Sequence, residues 1–463
     1  MMQGNIVFLW AGGTGLSNLV GILREIGYKN LIGIDAHESQ ITQQLQSKWI
    51  KIYPHGKYQI KPDDAIIYSS ATKDAPELQE AYRLKEQEHK PLLIRDYFTF
   101  LGEMSKLFKT IGITGTNGKS SSTSMMVTTA KKVLPELWIG IVGALVPDLG
   151  NQSYRINQEK VSDLKNLFDY LFIGKKLNYD LVKKYYFIIE SCEYQRHFLH
   201  IKMDYAIITS LELDHTDYYK DWEDYQSAFL QMLENVKEKC FVLENLASEK
   251  VKSHEKIEIV PELHFDFKNI RGKHQEKNAS LVFALLNHLT EGEKEKEIRT
   301  SLEEFHGIRR RMECLTTLPN GTKIFSDYGH VASSIQLGYQ ALREKFPDRK
   351  IIGIFQPHQI QRILAWRKDF PGAMKEYDSF YIYDIYAARE KIEDFADEEI
   401  FKDFDLKTVD DLGKCFAEHC HCTYIKTFEE IKKEIEKSDA DSLIAIYSAG
   451  DIDFKLRKEF GLV

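Results

Sequence analysis

Short apolar runs alternate with amphipathic stretches along most of the chain. NIVFLWAGG runs as a strand into a glycine turn, LSNLVGILREIG carries apolar residues at helical spacing, and LIGID and AIIYSSA read as two further strands. Strand, turn and helix in repeated alternation predict a parallel, doubly wound α/β sheet. The same grammar restarts at KTIGITGTNGKS, a turn placed after the fourth or fifth strand, with YYFIIESCE and YAIITSLELDH as later strands of that unit. A charged stretch, EGEKEKEIRTSLEEF, carries the boundary to a third unit, whose strands are KIFSDYG, KIIGIFQPH, SFYIYDIY and SLIAIYSAG. The pattern therefore predicts three α/β domains, residues 1–107, 108–298 and 299–463. Length agrees, since 463 residues at about 150 per domain give roughly three.

Ligands of doubly wound sheets sit at the carboxyl ends of the strands, so the chemistry placed there decides the reading. GTNGKS (115–120) follows an apolar strand and precedes a helical pattern. Its glycines permit a tight turn and close backbone approach, and the N–H groups of a helix start form an anion site. Lys119 followed by Ser120 is the pair that holds outer phosphates and a magnesium ion. Ile113 stands where the usual phosphate loop has glycine, so the strict pattern is missed. IIESCE and ELDHTD put Glu190, Glu193, Asp214 and His215 at two strand ends, a donor set suited to a divalent cation. The alternative is that His215 and Asp217 merely cap the following helix.

AGGTGLS (11–17) with Asp35 some way on is compatible with a nucleotide-linked ligand, although Gly12, Gly13 and Gly15 do not fit the dinucleotide fingerprint. GIRRRMEC packs three arginines, whose guanidinium groups grip phosphate and carboxylate in pairs of hydrogen bonds. CFAEHCHC has no second Cys/His pair at zinc-finger spacing and reads as a helix end with buried thiols. A net charge of −8 argues against general nucleic-acid binding, no apolar run reaches membrane-spanning length, and six scattered cysteines fit a reducing cytoplasm.

In their order these motifs resemble the Mur ligases, the ATP-dependent amide-forming enzymes of peptidoglycan synthesis, over essentially the whole chain. FLWAGGTGL is similar to the family's N-terminal glycine turn, IIYSSA to its short strand, and GITGTNGKSSST to its ATP loop, which does not require the first glycine. IIESCEYQRHFL and IITSLELDHTDYY resemble the paired metal-site segments, GKHQEKN the adenine-contacting segment, FHGIRRRME the linker arginines, and SDYGH, FQPH and SAGDID the C-terminal motifs.

The resemblance implies an N-terminal Rossmann-like UDP-binding domain, a central P-loop-type ATPase domain with a mostly parallel sheet, and a Rossmann-like C-terminal domain. It implies ATP and Mg2+ as cofactors, with UDP-N-acetylmuramate and L-alanine, or another amino acid, as substrates. Gly115, Thr116, Asn117, Gly118, Lys119, Ser120 and Ser121 are then expected at the phosphates, with His274 and Asn278 near the adenine. Ser120, Glu190 and His215 are the expected metal ligands, Arg310 or Arg311 reaches the phosphates when the domains close, and Asp327 meets the ribose. Gly13, Asp35, Ser69 and Ser70 are expected to line the UDP-sugar site, and Glu193, Tyr328, His330, His358 and Arg362 to face the reacting carboxylate and amino acid. His330 or His358 is the candidate group assisting the amine.

Trp10 stands where a glycine is usual, Val331-Ala332-Ser333 replaces His-Pro-Thr, Gln275 replaces an asparagine and Gln359 an arginine. SAFLQML lacks the lysine that other branches carbamylate, as in the alanine-adding branch. The rival expectations are a ligase that attaches a whole peptide during cell-wall recycling and a nucleotide-regulated binding protein with a degenerate third lobe; a dehydrogenase is the weakest. A cytoplasmic monomer or homodimer, without nucleic-acid or membrane partners, completes the picture.

Overall fold

The computed structural model describes residues 4–36, 39–90, 92–215, 218–245, 248–270, 272–387, 390–395, 398 and 406–462. Asp217, one of the candidate helix caps, lies outside them. The chain divides into two compact units, Met1–His306 and Gly307–Val463.

The first unit holds two sheets. One has five parallel strands in the order Lys51–Tyr53, Leu31–Ile34, Ile6–Leu9, Ala65–Tyr68, Leu93–Asp96. The two edge strands escaped the sequence reading because they are short and carry charged residues. The phosphate-loop candidate therefore follows the sixth strand, not the fourth or fifth. The second sheet has seven strands, ordered Ile257–Val260, Val236–Leu243, Met203–Ile208, Lys109–Thr114, Tyr186–Glu190, Leu137–Val146, Gln152–Ile156, and only the last pair is antiparallel. Lys109–Thr114 lies at its centre with five of six residues buried, as a strand covered on both faces requires.

One continuous apolar core runs through both sheets, from Ile6 and Phe8 through Leu19, Leu23 and Tyr154 to Phe187 and Phe229. Asn18 strengthens the junction by donating from Nδ2 to the carbonyls of Val142 at 3.1 Å and Ser153 at 3.3 Å. Shared burial of that kind ties the two sheets together within the compact unit Met1–His306. The division falls after His306 because the helix Glu295–Glu303, which a boundary at 298/299 would cut, packs on the helices Lys119–Val133 and Lys273–Leu289.

The second unit is one six-stranded sheet, ordered Glu313–Thr317, Lys323–Asp327, Leu443–Ser448, Ile351–Gln356, Ser379–Tyr383, Thr423–Ile425. Its first pair is antiparallel and the rest parallel. Separate apolar clusters cover its two faces, one around Phe355, Phe370 and Phe416, the other around Ile354, Ile431 and Ile446. The fold is thus mixed α/β with three mostly parallel sheets. No helix among the described residues is long and apolar enough to cross a membrane.

Candidate functional site

The strand Lys109–Thr114 ends in Gly115-Thr116-Asn117-Gly118, and Lys119 opens a helix that runs to Val133. Gly115 has φ 128° and Gly118 φ 85°, both in the region that favours glycine. Added side chains would also collide: a Cβ at Gly118 would lie 2.5 Å from Asn278 Oδ1, and one at Gly115 2.5 Å from Thr209 Oγ1. The turn is tied down from the neighbouring strand end. Asn117 N donates to Ser210 Oγ at 2.6 Å, Thr209 Oγ1 to Asn117 O at 2.5 Å, and Thr116 Oγ1 to Glu212 O at 2.7 Å. Tyr225, which sequence reasoning missed, meets Thr116 Oγ1 at 2.8 Å. Ser121 follows on the helix Lys119–Val133.

Lys119 bends back over this turn. Its Nζ donates to Gly115 O at 2.5 Å, Thr116 O at 3.0 Å and Glu193 Oε1 at 2.9 Å. Burial pulls the lysine pKa down, but the charge and hydrogen bond of Glu193 more than offset this, so it stands above its ordinary value. Burial likewise pushes Glu193 up, yet the hydrogen bond with His215 and the Lys119 ammonium outweigh it and hold the carboxyl below its usual range. Cys192 lies between the two glutamates, and burial drives its thiol up to about 12, so it is no thiolate nucleophile at neutral pH.

The expected trio of Ser120, Glu190 and His215 separates into two adjoining groups. Ser120 Oγ donates to Glu190 Oε1 at 2.9 Å, while Glu190 Oε2 accepts from Gly143 N at 2.8 Å. His215 Nε2 lies instead 3.4 Å from Glu193 Oε1 and 3.8 Å from Asp214 Oδ2. One potential ligand atom from each of Glu193, Asp214 and His215 falls within 4.8 Å of the others. The cause is local: Glu190 ends its strand, and the turn after it brings Glu193 round to the strand end that carries Asp214 and His215. Tyr194 packs on the His215 ring at 4.6 Å between centroids, and Tyr219 donates its hydroxyl to Glu193 O. The adjacent Asp-His pair was the available signal for Asp214.

Asn278, buried in the helix Lys273–Leu289, has its amide against Gly118, so this segment reaches the turn. His274 sits beside Gly272 with its Nε2 3.2 Å from Gln275 Nε2.

At the first sheet, the carboxyl edge gathers the other expected group. Gly12 N donates to Asp35 Oδ2 at 2.8 Å, Gly13 caps the helix Thr14–Glu25, and Ser69 and Ser70 follow the strand Ala65–Tyr68. Trp10, where the family has glycine, keeps the positive φ of a glycine at 75° and lays its ring against Gly13.

In the second unit, three neighbouring strands end at Asp327, Gln356 and Ser448. Arg310, at φ 58°, donates through Nη2 to Ser448 O at 2.6 Å, and Arg310 and Arg311 both lie over the Tyr328 ring, at 4.8 and 5.7 Å. Asp327 accepts from Gly329 N at 2.6 Å and Met312 N at 2.9 Å; burial raises its pKa against the pull of the arginines. His330 and His358 are each pushed down to about 4, first by burial and then by the charge of Arg362. His358 also stacks on Tyr386, a partner no motif announced, with centroids 5.6 Å apart. Gln359 takes φ 71° at the start of the helix Ile360–Trp366.

A glycine turn feeding a lysine-headed helix at the carboxyl edge of a parallel sheet, beside carboxylates and an imidazole, has the parts of a nucleotide-phosphate site. Residues 113–302 match the Mur ligase middle domain. The UDP-N-acetylmuramate–L-alanine ligase of Clostridium botulinum strain Langeland is 30% identical over 488 aligned positions, covering 97% of this chain and 95% of its own. That of Streptococcus mutans is 28% identical, covering 94% and 98%. The crystal structure of the UDP-N-acetylmuramate–alanine ligase of Thermotoga maritima superposes with a TM-score of 0.73 at 21% identity, over 99% of this chain and 98% of that one. The chain belongs to the Mur ligase family, whose members form amide bonds at the expense of ATP.

Proposed function

We propose that the protein joins L-alanine to the lactyl carboxylate of UDP-N-acetylmuramate, with ATP giving ADP and phosphate, as a step of peptidoglycan precursor synthesis. The observation that carries this reading is the Lys119–Ser120 helix start facing Glu190, Glu193 and His215. The alanine ligases matched along nearly all of the chain support the choice of amino acid.

The site's own atoms suit a magnesium ion. Glu193 Oε2 is buried with no hydrogen-bond partner among the described residues, although its neighbour Oε1 has two, and Asp214 and His215 stand beside it. Hard oxygen donors with one imidazole fit that cation, which would neutralise phosphate charge when bound. Glu193, Asp214 and His215 would hold it, with Ser120 and Glu190 adjoining.

Lys119 meets the charge that spreads over the γ-phosphate as a carboxylate oxygen of the sugar acid attacks phosphorus and ADP leaves. The product is an acyl phosphate. The alanine amine then attacks its carbonyl carbon: the C–N bond forms, the C–O bond to phosphate breaks, and the nitrogen gives up a proton to the departing phosphate anion. A histidine with a pKa near 4 is neutral at pH 7 and a weak base, so His330 and His358 orient the amine by accepting hydrogen bonds rather than taking its proton outright. Arg310, Arg311 and Arg362 supply fixed positive charge for carboxylate and phosphate. Asn278 and His274 are assigned to the adenine, and Gly13, Asp35, Ser69 and Ser70 to the UDP-sugar.

Phosphate release from full-length protein with ATP, Mg2+, UDP-N-acetylmuramate and a panel of acceptors tests this. L-alanine should give the highest kcat/KM. A preference for a tripeptide would transfer the protein to the recycling ligases, and ATP binding without release by any acceptor would make it a binding protein.

A further inference from the structure

The register of the first sheet places one more side chain among those assigned to the UDP-sugar. Leu9 pairs with Ile34 on one side and Tyr68 on the other, and Tyr68 pairs with Asp96. The next residue of each strand end therefore falls in one row: Trp10, Asp35, Ser69 and Tyr97. Asp96 fixes the start of this last segment by accepting from the backbone N–H groups of Phe98 at 3.1 Å and Thr99 at 3.0 Å, which makes Tyr97 the first residue of the helix Tyr97–Ser105.

The Tyr97 ring lies across the glycine turn. A Cβ on Gly15 would stand 2.8 Å from its Cζ and 2.9 Å from its Oη, so the turn approaches the phenol as closely as only glycine allows. Burial raises the phenol pKa, and the second contribution comes from the Glu190 carboxylate, the group that holds Ser120. The adjacent Phe98 stacks on His197 of the segment that follows Glu190 and Glu193, so Tyr97 stands between the glycine turn of the first sheet and the acidic edge of the second. Its ring rests against Phe98, and its hydroxyl has no hydrogen-bond partner among the described residues. A phenol kept protonated beside the N–H groups of a helix start is a hydrogen-bond donor aimed where an anion would lie.

We infer that Tyr97 is a further binding residue for the sugar nucleotide, its hydroxyl donating to the diphosphate as this passes from the glycine turn towards Glu190. The inference rests on the UDP-sugar reading of this edge. It adds a donor that no glycine or serine motif contains, and Phe at this position would keep the ring and lose only the contact.

Tyr97→Phe in the full-length protein, compared with wild type by calorimetric titration, tests it. The variant is expected to bind UDP-N-acetylmuramate about tenfold more weakly, in line with loss of one hydrogen bond to a charged group. Affinity for uridine, which lacks the phosphates, and for an ATP analogue should stay unchanged, as should the melting temperature. In turnover the KM for the sugar nucleotide should rise with kcat nearly constant. Equal affinity of variant and wild type for UDP-N-acetylmuramate would overturn the inference and leave the proposed function standing. A parallel loss for uridine and the ATP analogue would also overturn it, by showing a structural role. Failure of wild type itself to bind the sugar nucleotide would overturn both.

Discussion

At the scale of single residues, the pair Lys119–Glu193 concentrates the most consequence. Glu193 is fully buried, and the lysine is its cationic partner at 2.9 Å. Lys119→Met would remove that charge and leave the carboxylate with His215 alone. Two effects should separate: turnover falling by at least about 100-fold through lost phosphate stabilisation, and stability falling by about 1–3 kcal/mol through a weakened buried carboxylate. Steady-state kinetics and denaturant melts would check each. Buried histidines give a pH signature at the same scale. His197 stacks on Phe98 at 3.7 Å, its Nδ1 is buried without a partner among the described residues, and burial pushes its pKa down to about 4. A histidine depressed in the folded state takes its proton first when unfolded, at pH near 6.5, so acid favours unfolding. With His330 and His358 shifted the same way, the melting temperature should fall as pH drops from about 6.5 to 4. His197→Phe keeps the stacking and removes one titrating group, so its melting curve should depend less steeply on pH over that window; an unchanged slope would contradict the assignment.

At the scale of elements, the turn before the helix Lys119–Val133 shows why glycine is demanded by position rather than composition. Gly118→Ala combines a positive φ with a Cβ 2.5 Å from Asn278. The expected result is ATP affinity at least tenfold weaker, since the turn and the adenine-assigned segment must both shift, and a stability loss of about 1–2 kcal/mol. Fluorescent nucleotide titration and thermal melts would measure both. This element was legible in the sequence because strand, turn and helix start are contiguous. So were the strand ends bearing Glu190 and His215, and the parallel grammar of all three sheets. What the sequence hid is long-range. Nothing in IIESCE tells which glutamate turns towards His215, and nothing around residue 225 announces a tyrosine bonded to Thr116. Trp10 is the converse case: a departure visible in the sequence, whose backbone nevertheless keeps the left-handed conformation, so the turn survives the loss of glycine there. Edge strands Lys51–Tyr53 and Leu93–Asp96 were missed because exposure on one side erases the apolar run that marks a central strand.

At the scale of the whole molecule, the chemistry assigned to one reaction is carried by two compact units. Lys119, Glu193, His215 and Asn278 belong to Met1–His306, and Arg310, Arg311, His330, His358 and Arg362 to Gly307–Val463. Each unit has apolar clusters of its own, with Phe187 and Phe229 in the first and Phe355 and Phe416 in the second. Burial on that scale is what allows a domain to fold alone. A fragment ending at His306 should therefore fold, melt cooperatively and bind an ATP analogue with affinity close to that of the full chain, because the glycine turn and Asn278 are intact within it. It should not turn over: without the arginines and histidines of the second unit, phosphate release with UDP-N-acetylmuramate and L-alanine should drop by at least about 1,000-fold, the order that positioning and charge stabilisation together supply. Ending the fragment at 298 instead would cut the helix Glu295–Glu303 off its contacts with Lys119–Val133, and that shorter piece should melt earlier. Full activity in the 1–306 fragment would refute the assignment of Arg310, Arg311, His330 and His358 to the reaction, while loss of nucleotide binding from a folded fragment would refute the self-sufficiency of the turn.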